Sequence, residues 1–274
     1  MLIGKLKQLN FAVAAALTIM CAPAYATSIK IAVAANFAAT LNSMLGPFQS
    51  LYPSDSFSLV SDSTTNIKNA IISAGTATTY DLFLSADFAA PQDLYANHNS
   101  LVVGAPFHYA TGSLELWSKT VNISAGLPNP LTTNIVIADP TKAPYGKAAQ
   151  QVLASSPWSI TTIPSGFVFT RPNITTTYQA VNSGTFAYGF VAKSAICTKP
   201  GSSEVYPAGT YHHSYLYNDP AHPYDQIKQY AIKINRSGRT TAQNTVLTNF
   251  VNFLTGVGTS AGTAKILYYC YQLP

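Results

Sequence analysis

An α/β fold is predicted because short β-branched or aromatic runs alternate with stretches of helical apolar spacing, in a chain apolar enough to build a core. Of its 274 residues, 47% are hydrophobic and only 9% are charged, so solubility rests on Ser, Thr, Asn, Gln and Tyr. Strand-like runs lie at 30–33, 57–60, 81–86, 113–117, 135–139, 167–170, 188–192 and 230–234. A first helix is expected over 37–51, where Phe37, Leu41, Met44, Leu45, Phe48 and Leu51 keep helical spacing. Gly46-Pro47 should kink or divide it. Further helices are expected over 66–74, 147–154, 174–182, 245–254 and 263–269, while 199–224 has no clear period and reads as loops and short strands.

The amino terminus has the pattern of a Sec signal peptide over 1–26. Lys5 and Lys7 precede an apolar run at 11–19, and the segment closes on Ala24-Tyr25-Ala26. The run is shorter than the roughly 20 residues a bilayer span needs. Cys21 follows Thr18-Ile19-Met20 and lacks the small neighbour of a lipid-modified cysteine. The mature chain, from Thr27, is long enough for two lobes. The formal charge of +5 includes Lys5 and Lys7, and no Lys/Arg run remains to bind nucleic acid. Cys197 and Cys270 survive processing into a compartment that permits disulfides. A single bridge is the natural reading, with two buried thiols as the alternative.

Four strand-to-helix junctions carry the functional signal. They are Ala34-Ala35-Asn36, Ser61-Asp62-Ser63-Thr64-Thr65, Asp139-Pro140 through Pro144-Tyr145-Gly146, and Arg171-Pro172-Asn173. Each ends in small or hydroxyl residues, and each precedes a predicted helix whose start offers unpaired N–H groups and a positive dipole end. In a parallel sheet such ends converge on the crevice where ligands bind. Taken singly, Asn36, Ser63, Thr64 and Asn173 also suit ordinary helix N-caps.

The stretches Ile31-Ala-Val-Ala-Ala-Asn-Phe37, Ser63-Thr-Thr-Asn-Ile67, Asp81-Leu-Phe-Leu-Ser-Ala-Asp87, Ile137-Ala-Asp-Pro140 with Pro144-Tyr-Gly146, and Ser183-Gly-Thr-Phe-Ala-Tyr-Gly-Phe-Val191 together resemble the periplasmic molybdate-binding proteins of ABC transporters. The resemblance runs in order over nearly the whole mature chain. It implies a two-lobed periplasmic binding protein fold of type II, with lobe I over 27–109 and 229–274, lobe II over 110–228, and the ligand cleft between them. It further implies a monomer without a cofactor that delivers molybdate or tungstate to a membrane permease. The matching ligand positions are Asn36 and the backbone of Ala35, the hydroxyls of Ser63 and Thr64, Tyr145, and the backbone of Ile174. These hold the oxyanion through its oxygens and do not ligate the metal directly. Some members carry Ser at the position of Asn36, Ala at Tyr145 and Tyr at Ala192, so this chain resembles the variant with Asn in the first loop and Tyr in the third. A cage of donors suits a fully deprotonated dianion, whereas an acceptor aimed inward favours a protonated one. Asp62, at a position where the family often has glycine, keeps a phosphate-like ligand in play. Sulfate and small organic solutes are also compatible with such a fold, since fold alone does not set function.

A secreted enzyme is the rival class. Gly258-Thr-Ser260-Ala-Gly262 fits a hydrolase nucleophile pattern, but no strand is predicted before it and no histidine follows it. His212, His213 and His222 lack Cys, Asp or Glu at familiar ligand spacing, so no metal site is expected there. Asp81 and Asp87 receive no acid–base role, Asp87 being placed to cap the next segment. The exported protein should therefore begin at Thr27, with mass analysis finding neither Met1 nor a lipid on Cys21.

Overall fold

The computed structural model describes residues 27–274, and the signal segment falls outside the described residues. A first five-stranded sheet contains β1 (Thr27–Ala34), β2 (Asp55–Asp62), β3 (Leu82–Leu84), β4 (Val102–Gly112) and β10 (Ile227–Ile234), in the order β2-β1-β3-β10-β4. A second contains β5 (Leu114–Ser118), β6 (Ile135–Ala138), β7 (Val168–Arg171), β8 (Tyr188–Ala192) and β9 (Tyr211–Tyr215), in the order β7-β6-β8-β5-β9. The two sheets repeat one plan. In the first, β1 runs parallel to β2 and β3, and β10 is antiparallel to β3 and β4. In the second, β6 runs parallel to β7 and β8, and β5 is antiparallel to β8 and β9.

The alternation of strand side chains gives each sheet two buried faces. Ile29, Ile31 and Val33 pack on one side with Phe37, Phe48 and Phe250, while Ala32 packs on the other with Ile67, Phe83 and Ile232. In the second sheet Ile135 and Ile137 join Leu116, Leu153 and Phe190, while Val136 joins Trp117, Val181 and Val191.

The expected first helix is divided, as its Gly-Pro pair suggested, but the break falls at Met44. It separates α1 (Ala38–Ser43) from α2 (Leu45–Leu51). Pro47 thereby occupies the first turn of α2, where a missing N–H breaks no helical bond. The remaining helices are α3 (Thr64–Ala74), α4 (Ala89–Asn97), α5 (Pro144–Ala154), α6 (Ile174–Asn182), α7 (Thr241–Thr255) and α8 (Ala261–Tyr268). Two elements, α4 and β4, were not anticipated, and a third, β9, is one of the short strands expected without position in 199–224. Helix α4 carries Pro91 in its first turn, β4 includes Gly104 and Pro106, and β9 reads Tyr-His-His-Ser-Tyr with no aliphatic residue. Each lacks the clean apolar period on which sequence reading relies.

Chain crossings between the sheets are brief at one point, where Ser113 alone separates β4 from β5, and longer at 216–226, between β9 and β10. The carboxyl-terminal tail adds a third link. Thr111 and Gln272 exchange N–H···O bonds of 2.8 and 2.9 Å beside the first crossing, and Lys199 N–H donates to Tyr268 O at 2.7 Å. Cys197, just after β8, is bridged to Cys270, just after α8, with Cα atoms 5.9 Å apart and a sequence separation of 73. Replacing both cysteines by serine should therefore destabilise the protein by about 2–4 kcal/mol, read by denaturant unfolding of the double variant against the parent.

Candidate functional site

The carboxyl ends of the parallel strands in the two sheets face one another. From the first sheet, β1 delivers Ala35-Asn36, β2 delivers Ser63-Thr64 and β3 delivers Ser85-Ala86. From the second, β6 leads to α5, β7 leads to α6, and β8 leads to Lys193-Ser194. The lobes touch here: Thr65 N–H donates to Lys142 O at 3.2 Å, the Thr175 hydroxyl donates to Ala35 O at 2.9 Å, and Ser194 Oγ lies 3.4 Å from Asn36 O. Ala34, Ala35 and Ala86 of the first lobe belong to the same apolar cluster as Tyr145, Ile174 and Ile227. The molecule is in a closed arrangement.

Ala35 and Asn36 lie in a short 3-10 turn preceding α1 and are buried; no side chain caps it, so Asn36 is not an N-cap. Ser63 is the N-cap of α3, its oxygen accepting from Asn66 N–H at 3.4 Å. The Thr64 oxygen accepts from Ala86 N–H at 3.2 Å. Each hydroxyl oxygen thus already accepts a backbone bond, which leaves its O–H proton to donate. Asn173 caps α6 through a reciprocal capping box with Thr176, so Ile174 occupies the first helical position, where the N–H has no intrahelical partner. Pro144 opens α5, and Gly146 is required there because a Cβ would strike Ala138 O at the end of β6.

Tyr145 is 1% exposed. Its hydroxyl accepts from Gln229 Nε2 at 3.3 Å. Gln229, at 0% exposure, connects the lobes: its Oε1 accepts from Asn36 Nδ2 and from Tyr109 OH, both at 3.0 Å. Asn36 Nδ2 also donates to Tyr271 OH at 3.1 Å, and Tyr271 donates to Asn36 O at 2.8 Å. Ser194 Oγ completes the set with a 2.9 Å bond to Tyr271 OH. Burial raises the pKa of all three phenols, Tyr109 and Tyr145 well above the ordinary value and Tyr271 to about 12, so each keeps its proton. No Lys or Arg takes part in this network.

Ala35, Asn36 and Ile174 also line a cavity of about 270 Å³ with Tyr178, Ser194 and Tyr269. Ser63, Thr64 and Tyr145 do not line it, although Tyr145 reaches Asn36 through Gln229. Sequence reading missed Gln229, Tyr109, Tyr271, Ser194 and Gly112. None sits at an α-helix start, and a lone polar residue in a strand, a short turn or the tail carries no periodic signal.

Other candidates resolve into structural roles. Asp62 accepts from Ser63 N–H at 2.6 Å and from Asn66 Nδ2 at 3.1 Å, so both carboxylate oxygens are engaged at the start of α3. Asp87 accepts from Ala90 N–H at 2.9 Å at the beginning of α4, and burial raises its pKa. Asp81 pairs with Arg236 Nε at 2.8 Å. His212 Nδ1 lies 2.8 Å from Glu115 Oε1 and His213 Nδ1 lies 2.9 Å from Ser124 O, on β9 rather than in the expected loop. Successive strand positions send these rings to opposite faces. Ser260 lies in the connection between α7 and α8 with no strand before it, unlike a hydrolase nucleophile. Cys197 and Cys270 lie near Glu204, but their sulfurs are bound to each other.

Two α/β lobes of this topology, with parallel strand ends facing a shared cleft, define a two-lobed solute-binding protein. The chain belongs to the bacterial extracellular solute-binding protein family, whose model matches residues 29–260. It is 29% identical over 217 residues to the molybdate-binding protein ModA of Azotobacter vinelandii, spanning 78% of this chain and 80% of that one. It is also 29% identical over 178 residues to ModA of Rhodobacter capsulatus, spanning 64% of this chain and 63% of that one. Its fold matches the periplasmic molybdate-binding protein of Azotobacter vinelandii with a TM-score of 0.74 at 24% identity, over 90% of this chain and 99% of that one. The sulfate-binding protein SubI of Mycobacterium tuberculosis matches with a TM-score of 0.64 at 11% identity, over 90% and 87% of the two chains.

Gly112 is the tightest point of the site. A Cβ there would overlap the Tyr145 hydroxyl and come within 2.8 Å of Gln229 Nε2. Gly112→Ala should destabilise the protein by about 1–3 kcal/mol, checked by denaturant unfolding, because the buried network has no room to yield.

Proposed function

We propose that this protein is the extracytoplasmic binding component of an ABC importer, and that it captures a tetrahedral oxyanion, molybdate or tungstate, between its lobes. What supports the reading is that the starts of α3 and α6 lie at the lobe junction, where Thr65 N–H donates to Lys142 O and the Thr175 hydroxyl to Ala35 O, and that the buried Ser63, Thr64 and Tyr145 oxygens accept bonds from neutral donors, which leaves their protons to donate. An anion stripped of water can be held by oriented N–H and O–H dipoles alone. The Ser63 and Thr64 hydroxyls, the Tyr145 hydroxyl and the N–H groups of Ala35 and Ile174 are the proposed donors. Asn36 contributes by position: its amide protons face Gln229 and Tyr271 in this closed arrangement.

The engagement of Asp62 at the start of α3 supports a donor-only cage and weighs against a phosphate-like ligand. Identity to two relatives named as molybdate-binding proteins supports molybdate over sulfate. Opening would turn on Ser113 and the 216–226 crossing, with a membrane permease receiving the anion from the opened cleft. Export through the 1–26 segment, a monomeric state and the absence of catalysis and cofactors complete the proposal. Among the described residues no helix is long and apolar enough to cross a membrane.

Thermal melting with molybdate, tungstate, sulfate and phosphate should show a rise for the first two, since a ligand of the native state stabilises it by mass action. Ser63→Ala or Thr64→Ala should each weaken molybdate binding roughly tenfold to a hundredfold, or about 1.5–3 kcal/mol, by calorimetric titration. Equal affinity for sulfate and molybdate, or unaltered binding in the double variant, would overturn the assignment.

A further inference from the structure

We propose that Gln229 is a positioning residue that fixes the direction of the Tyr145 hydroxyl and thereby restricts the cleft to a tetrahedral dianion carrying no proton. This rests on the binding-site reading above and adds to it the basis of selection between protonation states.

The buried network has a single sense. Tyr271 OH lies 2.8 Å from Asn36 O, a carbonyl that can only accept, so the Tyr271 proton is committed there. Its oxygen then accepts from Asn36 Nδ2 at 3.1 Å and from Ser194 Oγ at 2.9 Å. That places the amide nitrogen of Asn36 beside Gln229 Oε1, at 3.0 Å. Tyr109 OH lies 3.0 Å from the same oxygen and 3.1 Å from Ser85 O, so its single proton is shared between two acceptors and the orientation is set by Asn36. Gln229 must therefore present its NH₂ group to Tyr145, at 3.3 Å. With its oxygen receiving that bond, the Tyr145 hydroxyl turns its own proton away from Gln229. Among the described residues the proton meets no protein acceptor, although the side chain is 1% exposed. Gly112 closes the side on which a Cβ would overlap the hydroxyl, so the ring cannot shift that way. A buried O–H held in this direction accommodates a ligand oxygen that accepts and rejects one that donates, because two facing protons leave both groups unpaired.

A carboxylate at position 229 reverses the sense, since it can only accept and would draw the Tyr145 proton toward itself. Wild type, Gln229→Glu, Tyr145→Phe and the double variant are titrated with molybdate and with inorganic phosphate at mildly alkaline pH. Both ions are then dianions, and only hydrogen phosphate carries a proton, so repulsion by the new charge acts on both alike. Gln229→Glu should lower the molybdate-to-phosphate affinity ratio by about tenfold or more, with no such fall in the Tyr145→Phe background. An unchanged ratio, or an equal fall without the Tyr145 hydroxyl, overturns the proposal. If the buried carboxylate prevents folding, Gln229→Met removes the orienting donor instead. Tyr145→Phe should then weaken molybdate binding less than it does in wild type, and an equal loss overturns the proposal. A wild-type protein that binds no molybdate overturns the site reading itself.

Discussion

Everything at the meeting of the lobes depends on the requirement that buried polar groups be paired. Gln229 is fully buried where β10 enters the first sheet, and its carboxamide answers Asn36, Tyr109 and Tyr145 together. Because Tyr145 belongs to the second sheet's lobe and the others to the first, satisfying one side chain aligns two bodies. Gly112 is part of the same constraint, since the Tyr145 hydroxyl occupies the space that a Cβ would take.

The network is neutral, and that neutrality has an energetic rationale. A buried cation would require compensation whenever the cleft is empty, whereas N–H and O–H dipoles exchange water for ligand with a smaller desolvation penalty. Helix starts supply these dipoles without further side chains. Basic residues near the lobe junction are instead paired elsewhere: Lys142 with Asp139 and Lys147 with Asp225.

The carboxyl-terminal tail gives the lobe junction a third connection beside the two chain crossings. Tyr271 bonds to Asn36 of one lobe while Ser194 of the other bonds to Tyr271, and the adjacent Cys270 is covalently tied to Cys197. Pairing of Gln272 with Thr111 sets this strap next to Gly112. The tail is therefore part of the wall of the candidate site as well as part of the first lobe's core, where Tyr271 packs edge-on against Phe37.

By itself the sequence determined the α/β class, most strands, and the junctions at Asn36, Ser63, Tyr145 and Ile174, because these are local matters of apolar period and helix-start chemistry. Resemblance in ordered motifs carried that reading to two lobes. Helix α4 and strand β4 escaped it, and β9 could not be placed within its tract of loops and short strands, because their Pro, Gly, Tyr and His residues obscure the period that tertiary contacts enforce. The tertiary structure alone decided that Asn36 directs its amide protons inward to Gln229 and Tyr271, positions 193 and 235 residues away in sequence. It also decided between a bridge and two buried thiols for Cys197 and Cys270. Partners so distant are chosen by the packing of one lobe on the other, and no local pattern of residues encodes that choice.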